Sequence, residues 1–262
     1  MRSLTTLALT LAALGLAAIT AAPIALAGAC AMPSLWVRIA ADVTHVIPSD
    51  QGVLVEVGTD PRRAIGPGPA PYSAESAIAV TAHLAREGQP DIALRVEAIG
   101  PSVARLVPAS TPAPGRWRVV TATHSEEVSF GAQPARGNGP AAPRLVSVTR
   151  TEQSFPGPRG SDSYLSISAR LGDALPASVA GVVLFAVHGT TDRAAITQSR
   201  QSLASLHTGG AGALVLFSSG GRCSVSLPGQ DPSVRGTVRL AAYDLDGRIG
   251  ARSNDVTVTG AD

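Results

Sequence analysis

The sequence predicts an all-β protein: two β-sandwiches in tandem behind an N-terminal export signal. Three observations predict it. Short runs of β-branched and other apolar residues recur along the chain, each closed by Pro, Gly or Asp. Several of these runs alternate apolar and polar side chains with a period of two. A stretch rich in Pro and Gly, Gln133 to Pro140, divides the remainder into two halves of domain size. The expected organisation is therefore a signal at 1–27, a first sandwich at 28–132, a linker at 133–142 and a second sandwich at 143–262.

The signal has three parts. Arg2 supplies a positive start, Leu4 to Ile19 is uncharged and rich in Leu and Ala, and Ala25-Leu26-Ala27 offers the small-x-small pattern of a cleavage site. The apolar stretch is short for a retained span, so no transmembrane segment is expected after cleavage. Cleavage after Ala27 leaves Gly28 as the mature N-terminus. The alternative is a lipoprotein tether at Cys30. A lipoprotein signal places a large aliphatic residue three positions before its cysteine; that position holds Ala27, and Leu26 lies one place too early.

Cys30 and Cys223 are the two cysteines. In an oxidising compartment such a pair most simply forms a disulfide. Closing so long a loop stabilises by about 5 kcal/mol in the chain-entropy picture. Lipidation of Cys30 would leave Cys223 free, so the two fates exclude each other.

In chain order, Val53 to Val57 reads as a strand between Gln51-Gly52 and Gly58-Thr59-Asp60-Pro61. Ala74 to Glu87 is rich in alanine, yet Ile78, Val80, Ala82 and Leu84 alternate with Ala79, Thr81, His83 and Ala85; strand is favoured over helix. Glu87-Gly88-Gln89-Pro90-Asp91 then turns into Ile92 to Ile99, which alternates along its length. Trp117 and Val119 alternate with Arg116 and Arg118, and Val128-Ser129-Phe130 closes the first half. The second half offers Leu145 to Val148, Tyr164 to Leu171, Val182 to Val187, Ala213 to Phe217, Cys223 to Leu227, Val238 to Tyr243 and Val256 to Val258. Thr190 to His207 has few apolar residues and reads as a long loop or one short helix.

Val46-Ile47-Pro48-Ser49-Asp50-Gln51-Gly52 resembles the opening of prokaryotic immunoglobulin-like domains. Leu106-Val107-Pro108-Ala109, then Pro114-Gly115-Arg116-Trp117-Arg118-Val119 and Val128-Ser129-Phe130, resembles their ending, with Ala113 where a leucine is usual. In the second half, Val238 to Gly247 followed by Ser253 to Val258 is similar to the last hairpin of fibronectin-type and immunoglobulin-like modules, with Asp246-Gly247 in the turn. The resemblance implies two tandem immunoglobulin-like sandwiches and a structural or adhesive protein of the cell envelope. A copper-chaperone sandwich shares the Pro-Gly turn and aromatic strand, and implies metal binding. Its Asp-Gly-His signature is replaced here by Thr121-Ala122-Thr123-His124.

Several chemistries are excluded or disfavoured. All 21 basic residues are arginine, so a Walker A loop, a Schiff-base lysine and a Ser–Lys nucleophile have no amine to use. A net charge of +2 and 3% aromatic residues suit no nucleic-acid surface. No Gly-x-Ser-x-Gly elbow occurs, and Gly209 to Gly212 precedes a strand rather than a phosphate-binding helix. His45, His83 and His124 are the metal-ligand candidates, but none stands at a ligand spacing from another. Asp244-Leu245-Asp246-Gly247 with Asn254 and Asp255 has the acidic spacing of a calcium loop, and equally that of a hairpin turn. Glu97 is the notable carboxylate within a strand.

The expectation is thus a non-enzymatic, exported structural or binding module without cofactor, periplasmic or secreted. Its partner would be another envelope protein or a polysaccharide, not nucleic acid. The alternative is a periplasmic metal-binding sandwich.

Overall fold

A computed structural model of the chain describes residues 32–40, 44–65, 82–121, 125–134, 137–157, 160–199, 213–220 and 230–261. The protein is all-β in these residues, with two curled sheets and no helix. The stretch 1–27 expected to be a signal, both cysteines, most of Ala74 to Glu87 and the Cys223 to Leu227 run lie outside them.

The first sheet contains β1 (Met32–Ile39), β2 (Val46–Ile47), β3 (Val53–Ile65), β4 (His83–Ala85), β5 (Ile92–Gly100), β6 (Val103–Pro108), β7 (Gly115–Val120) and β8 (Ser125–Phe130). The second contains β9 (Leu145–Gly157), β10 (Gly160–Leu171), β11 (Val179–His188), β12 (Thr191–Ser199), β13 (Ala213–Gly220), β14 (Thr237–Asp244) and β15 (Val256–Ala261). The spatial orders are β1-β3-β6-β5-β4-β7-β8-β2 and β12-β11-β14-β15-β9-β10-β13.

Each sheet folds over at a strand that changes partners. Ile92 and Ala93 of β5 pair with β4, while its later residues pair with β6. Val256 and Thr257 of β15 pair with β14, and Val258 to Ala261 then pair with β9. A parallel pair joins the early and last strands of each unit, β2 with β8 and β9 with β15. All other strand pairings among the described residues are antiparallel.

Three apolar layers separate the four folded half-sheets. Val53, Val55, Leu84, Leu106, Trp117, Val119 and Phe130 fill the first unit. Val148, Ile167, Leu184, Ile196, Leu216 and Leu240 fill the second. Between the units, Leu54, Ile99 and Val103 meet Val183, Phe185, Ala241 and Tyr243. This middle layer explains the burial of β3, where Val53, Leu54, Val55 and Glu56 are all buried in succession. It also explains β11, buried from Val179 to Ala186. A strand covered on both faces needs apolar residues at consecutive positions, not alternate ones.

Three local expectations are corrected. Within Thr190 to His207, Thr191–Ser199 is a strand, not a loop or helix; residues 200–207 lie outside the described residues. Thr191–Ser199 pairs with β11 from His188↔Thr191 onward, across a two-residue turn in which Gly189 has φ 63°. Its apolar centre is only Ala194, Ala195 and Ile196, too short to read alone. The strand beginning at Val53 does not stop at Gly58; it runs on to Ile65. Asp60-Pro61 reads as a turn, but it lies beside a register shift between Pro33 and Ser34, where proline's missing N–H breaks no ladder bond. Finally, β9 and β10 extend past the expected runs and pair to Gly157↔Gly160, forming a long hairpin.

Candidate functional site

Among the described residues, buried polar groups gather along the seam between the two units. Glu56 points from β3 to the side opposite Val53 and Val55, because strand side chains alternate. It pairs with Arg38 of β1. Burial pushes its carboxyl above the ordinary carboxylate range; the Arg38 hydrogen bond and charge, and a hydrogen bond from Ser199, pull the other way. Across the seam stands Tyr243 of β14, fully buried, its hydroxyl without a hydrogen-bond partner. Burial first, then the Glu56 charge, raises the Tyr243 phenol well above its usual value. A Cβ on Gly181 would collide with that hydroxyl, so glycine makes room for the ring.

Two side chains tie the units together at either flank. Gln230 bonds both backbone groups of Thr197, accepting from its N–H at 3.0 Å and donating to its carbonyl at 2.9 Å. It also donates to the Ser102 hydroxyl of the first unit at 3.2 Å. His45 Nε2 lies 2.8 Å from Asp246 Oδ1. Nearby, Arg105 pairs with Glu97 and packs its side chain against Gly247. The Arg105 hydrogen bond, with smaller help from Arg95, holds the Glu97 carboxyl below the ordinary range against a modest burial effect.

The acidic loop of the second unit is a turn. Asp244 accepts from the N–H groups of Asp246 at 3.1 Å and Arg248 at 2.9 Å, and from the Arg248 guanidinium at 2.8 Å. Gly247 takes φ 74°, the left-handed conformation that glycine adopts without a steric cost. Asn254 clamps the backbone of Leu145, accepting from its N–H and donating to its carbonyl. Asp255 pairs with Arg239, which holds its carboxyl below the ordinary range. Carboxylates engaged by N–H donors in this way build a turn and an edge, not an oxygen cage for calcium.

Two of the three histidine candidates lie among the described residues. His45 is engaged with Asp246 at the seam, whereas His83 on β4 lies 3.6 Å from Asp91. His124 lies outside the described residues, as do Cys30 and Cys223. Among the described residues no three His, Cys, Asp or Glu form a group that could hold a metal ion. A shallow open depression is lined by Ser49, Asp50, Gln51, Pro108, Ser110 and Thr111.

Glu56, Arg38 and Gln230 were not singled out in the sequence. The legible signal was the pair of runs Val53 to Val57 and Val182 to Val187, apolar on both faces, which mark strands covered twice. A glutamate inside such a run is a buried carboxylate awaiting a cation. Chemically, the seam joins: its charges are paired and its hydroxyls are enclosed. Among the described residues no helix is long and apolar enough to cross a membrane. No protein-family model matches the chain, and no curated protein matches it.

Proposed function

We propose that the chain is an exported, non-enzymatic structural or binding module of the cell envelope, built as two immunoglobulin-like sandwiches in tandem. The observation that carries the reading is the strand order. In each unit one half-sheet holds the early strands with a middle one, β1-β3-β6 and β9-β10-β13, and the other holds the last two strands beside an earlier one, β4-β7-β8 and β11-β14-β15. The parallel contact of an early strand with the last closes both units in the same manner. That order is the one expected of immunoglobulin-like and fibronectin-type modules and supports the reading; the step from such a sandwich to holding or binding is by analogy of fold.

The polar groups of the seam favour the same reading. They join units rather than converge on an open cleft, where a nucleophile, its base and a substrate would need to meet. The signal-like pattern of the N-terminus supports export, and Cys30 and Cys223 suit an oxidising compartment.

The test is expression of the full chain in a bacterium with a periplasm, followed by fractionation and intact mass, native and reduced. The expected species is periplasmic or secreted, begins at Gly28, and gains about two hydrogens on reduction as one Cys30–Cys223 bridge opens. A diacylglycerol adduct at Cys30 would replace the bridge with a membrane tether. A full-length chain retained in the cytosol overturns the reading.

A further inference from the structure

The second unit presents one outer face that differs from the rest of the molecule. It is the outward side of β15, β9, β10 and β13, opposite the layer filled by Val148, Ile167 and Leu216. Register places Thr259, Thr149 and Ser168 in one row across it, and Thr151, Ser166 and Ser218 in the next. No apolar cluster of the described residues lies on this side. Hydroxyls alone make no site, because Ser and Thr are ordinary residues of a solvated sheet face.

The aromatic residues single this face out. Among the described side chains, Trp117, Phe130, Phe185, Phe217 and Tyr243 are buried, while Phe155 and Tyr164 are 53% and 37% exposed. Both exposed rings stand on the same hairpin. Gln153 opposes Tyr164 and Phe155 opposes Asp162, so the two rings are diagonal neighbours on one face. The Tyr164 hydroxyl lies 2.7 Å from Ser218 Oγ, which turns the ring along the hydroxyl rows. Among the described residues the hairpin extends beyond its neighbours: β15 pairs as far as Thr151, and β13 pairs as far as Tyr164.

The charge pattern selects the partner. Among the described side chains of these rows, Arg170 at one end is the charged one, and register alone sets Asp162 opposite Phe155 at the other. The opposite outer layer of the molecule is different, with exposed Arg116 and Arg118 on β7 and Glu127 on β8. A polyanion would seek cations, and an acidic or basic protein patch would seek its complement. A face with almost no net field suits an uncharged polymer. Ser and Thr hydroxyls both donate and accept, matching a ligand whose own groups do the same. Exposed rings stack on flat C–H surfaces and lose little side-chain freedom.

We propose that this face, from the Thr/Ser rows to the Phe155–Tyr164 pair, is a docking surface for a neutral polysaccharide. The inference rests on the reading of the chain as an exported binding module, and names its class of partner.

The test uses the purified mature chain in native gels cast with hydroxyethyl cellulose or dextran, with alginate as the anionic control. The expected result is retardation in a neutral polysaccharide gel and none in alginate. Phe155→Ala and Tyr164→Ala should each weaken apparent affinity about three- to tenfold. The exposed pair Arg116→Ser and Arg118→Ser, on the opposite layer, should leave it unchanged. Equal thermal midpoints would show that all variants fold. Migration unaffected by either neutral polymer, retardation only in alginate, or retardation that survives the Phe155/Tyr164 double variant overturns the assignment. The failures are separable. Loss of binding in a periplasmic protein removes this surface and leaves the exported module; a cytosolic chain removes the export reading whatever the gels show.

Discussion

Glu56 and Tyr243 set the chemistry of the seam at the scale of single residues. The Glu56 carboxyl is raised by burial more than Arg38 and Ser199 lower it, so its ionised form is disfavoured in the fold. The sign follows directly. Between the unfolded and the raised folded pKa, the native state holds more protons than the unfolded chain, so stability falls as pH rises through that window. Glu56→Gln keeps the shape and removes the charge. The variant should therefore gain in thermal midpoint relative to the wild type as pH rises from about 4.5 to 8. Parallel melts across that range check it; a constant difference would show that Arg38 fully compensates the buried charge. Glu97, held low by Arg105, has the opposite sign but is mostly solvated and contributes little. Tyr243 offers a second test. Its hydroxyl is buried without a partner, so Tyr243→Phe should match or exceed wild-type stability, by up to about 1 kcal/mol. Tyr243→Ala should cost about 3–5 kcal/mol, because it empties the middle layer. Chemical denaturation of the two variants separates hydroxyl from ring.

At the scale of elements, β12 shows how a strand with little sequence signal is held. Its pairing to β11 accounts for one edge, and residues 230–231 cover the other. Gln230 satisfies the Thr197 N–H and carbonyl, and the Asp231 N–H donates to the Ala195 carbonyl at 2.8 Å. Gln230→Ala would leave two backbone groups of Thr197 without their side-chain partner, at a cost of about 1–3 kcal/mol. Hydrogen exchange at the Thr197 amide should accelerate, while exchange in β9 and β10 stays unchanged. The same element marks the limit of what was legible. Alternation exposed β7 correctly, since Trp117 and Val119 face a core and Arg116 and Arg118 face water, and it holds in β5 from Ile92 to Val96 before Ala98 is exposed and Ile99 enters the middle layer. The reach of β3 to Ile65 and of β9 to Gly157 was hidden, because Asp60-Pro61 and Pro156-Gly157 carry the residue types of turns. Among the described residues, no ladder runs along the outward edge at either proline, so proline is tolerated there. The seam was half legible: the runs in β3 and β11 are apolar on both faces, but no local pattern states that each covers the other. Pairing of Glu56 with Arg38 depends on register between strands, which composition does not encode.

At the scale of the molecule, the middle apolar layer makes the two units a single stack. Leu54 and Val183 are fully buried within it from opposite sides. Removing their apolar contact should uncouple the units without emptying either internal core, because Val53 and Val55 face the first core and Val182 and Leu184 face the second. A charge at either position is buried without a counter-ion, so Leu54→Asp and Val183→Asp should each cost about 3–5 kcal/mol. The decisive readout is cooperativity. Calorimetry of the wild type should show one transition, since opening the seam exposes Leu54, Ile99, Val183 and Phe185 together. Each variant should split it into two transitions, one for each unit, because the cores filled by Trp117 and by Leu240 remain intact. Two transitions already present in the wild type would mean that the seam is too weak to couple the units. The linker between Phe130 and Leu145 would then be their effective connection, and the Phe155–Tyr164 hairpin would be displayed on an independently moving domain.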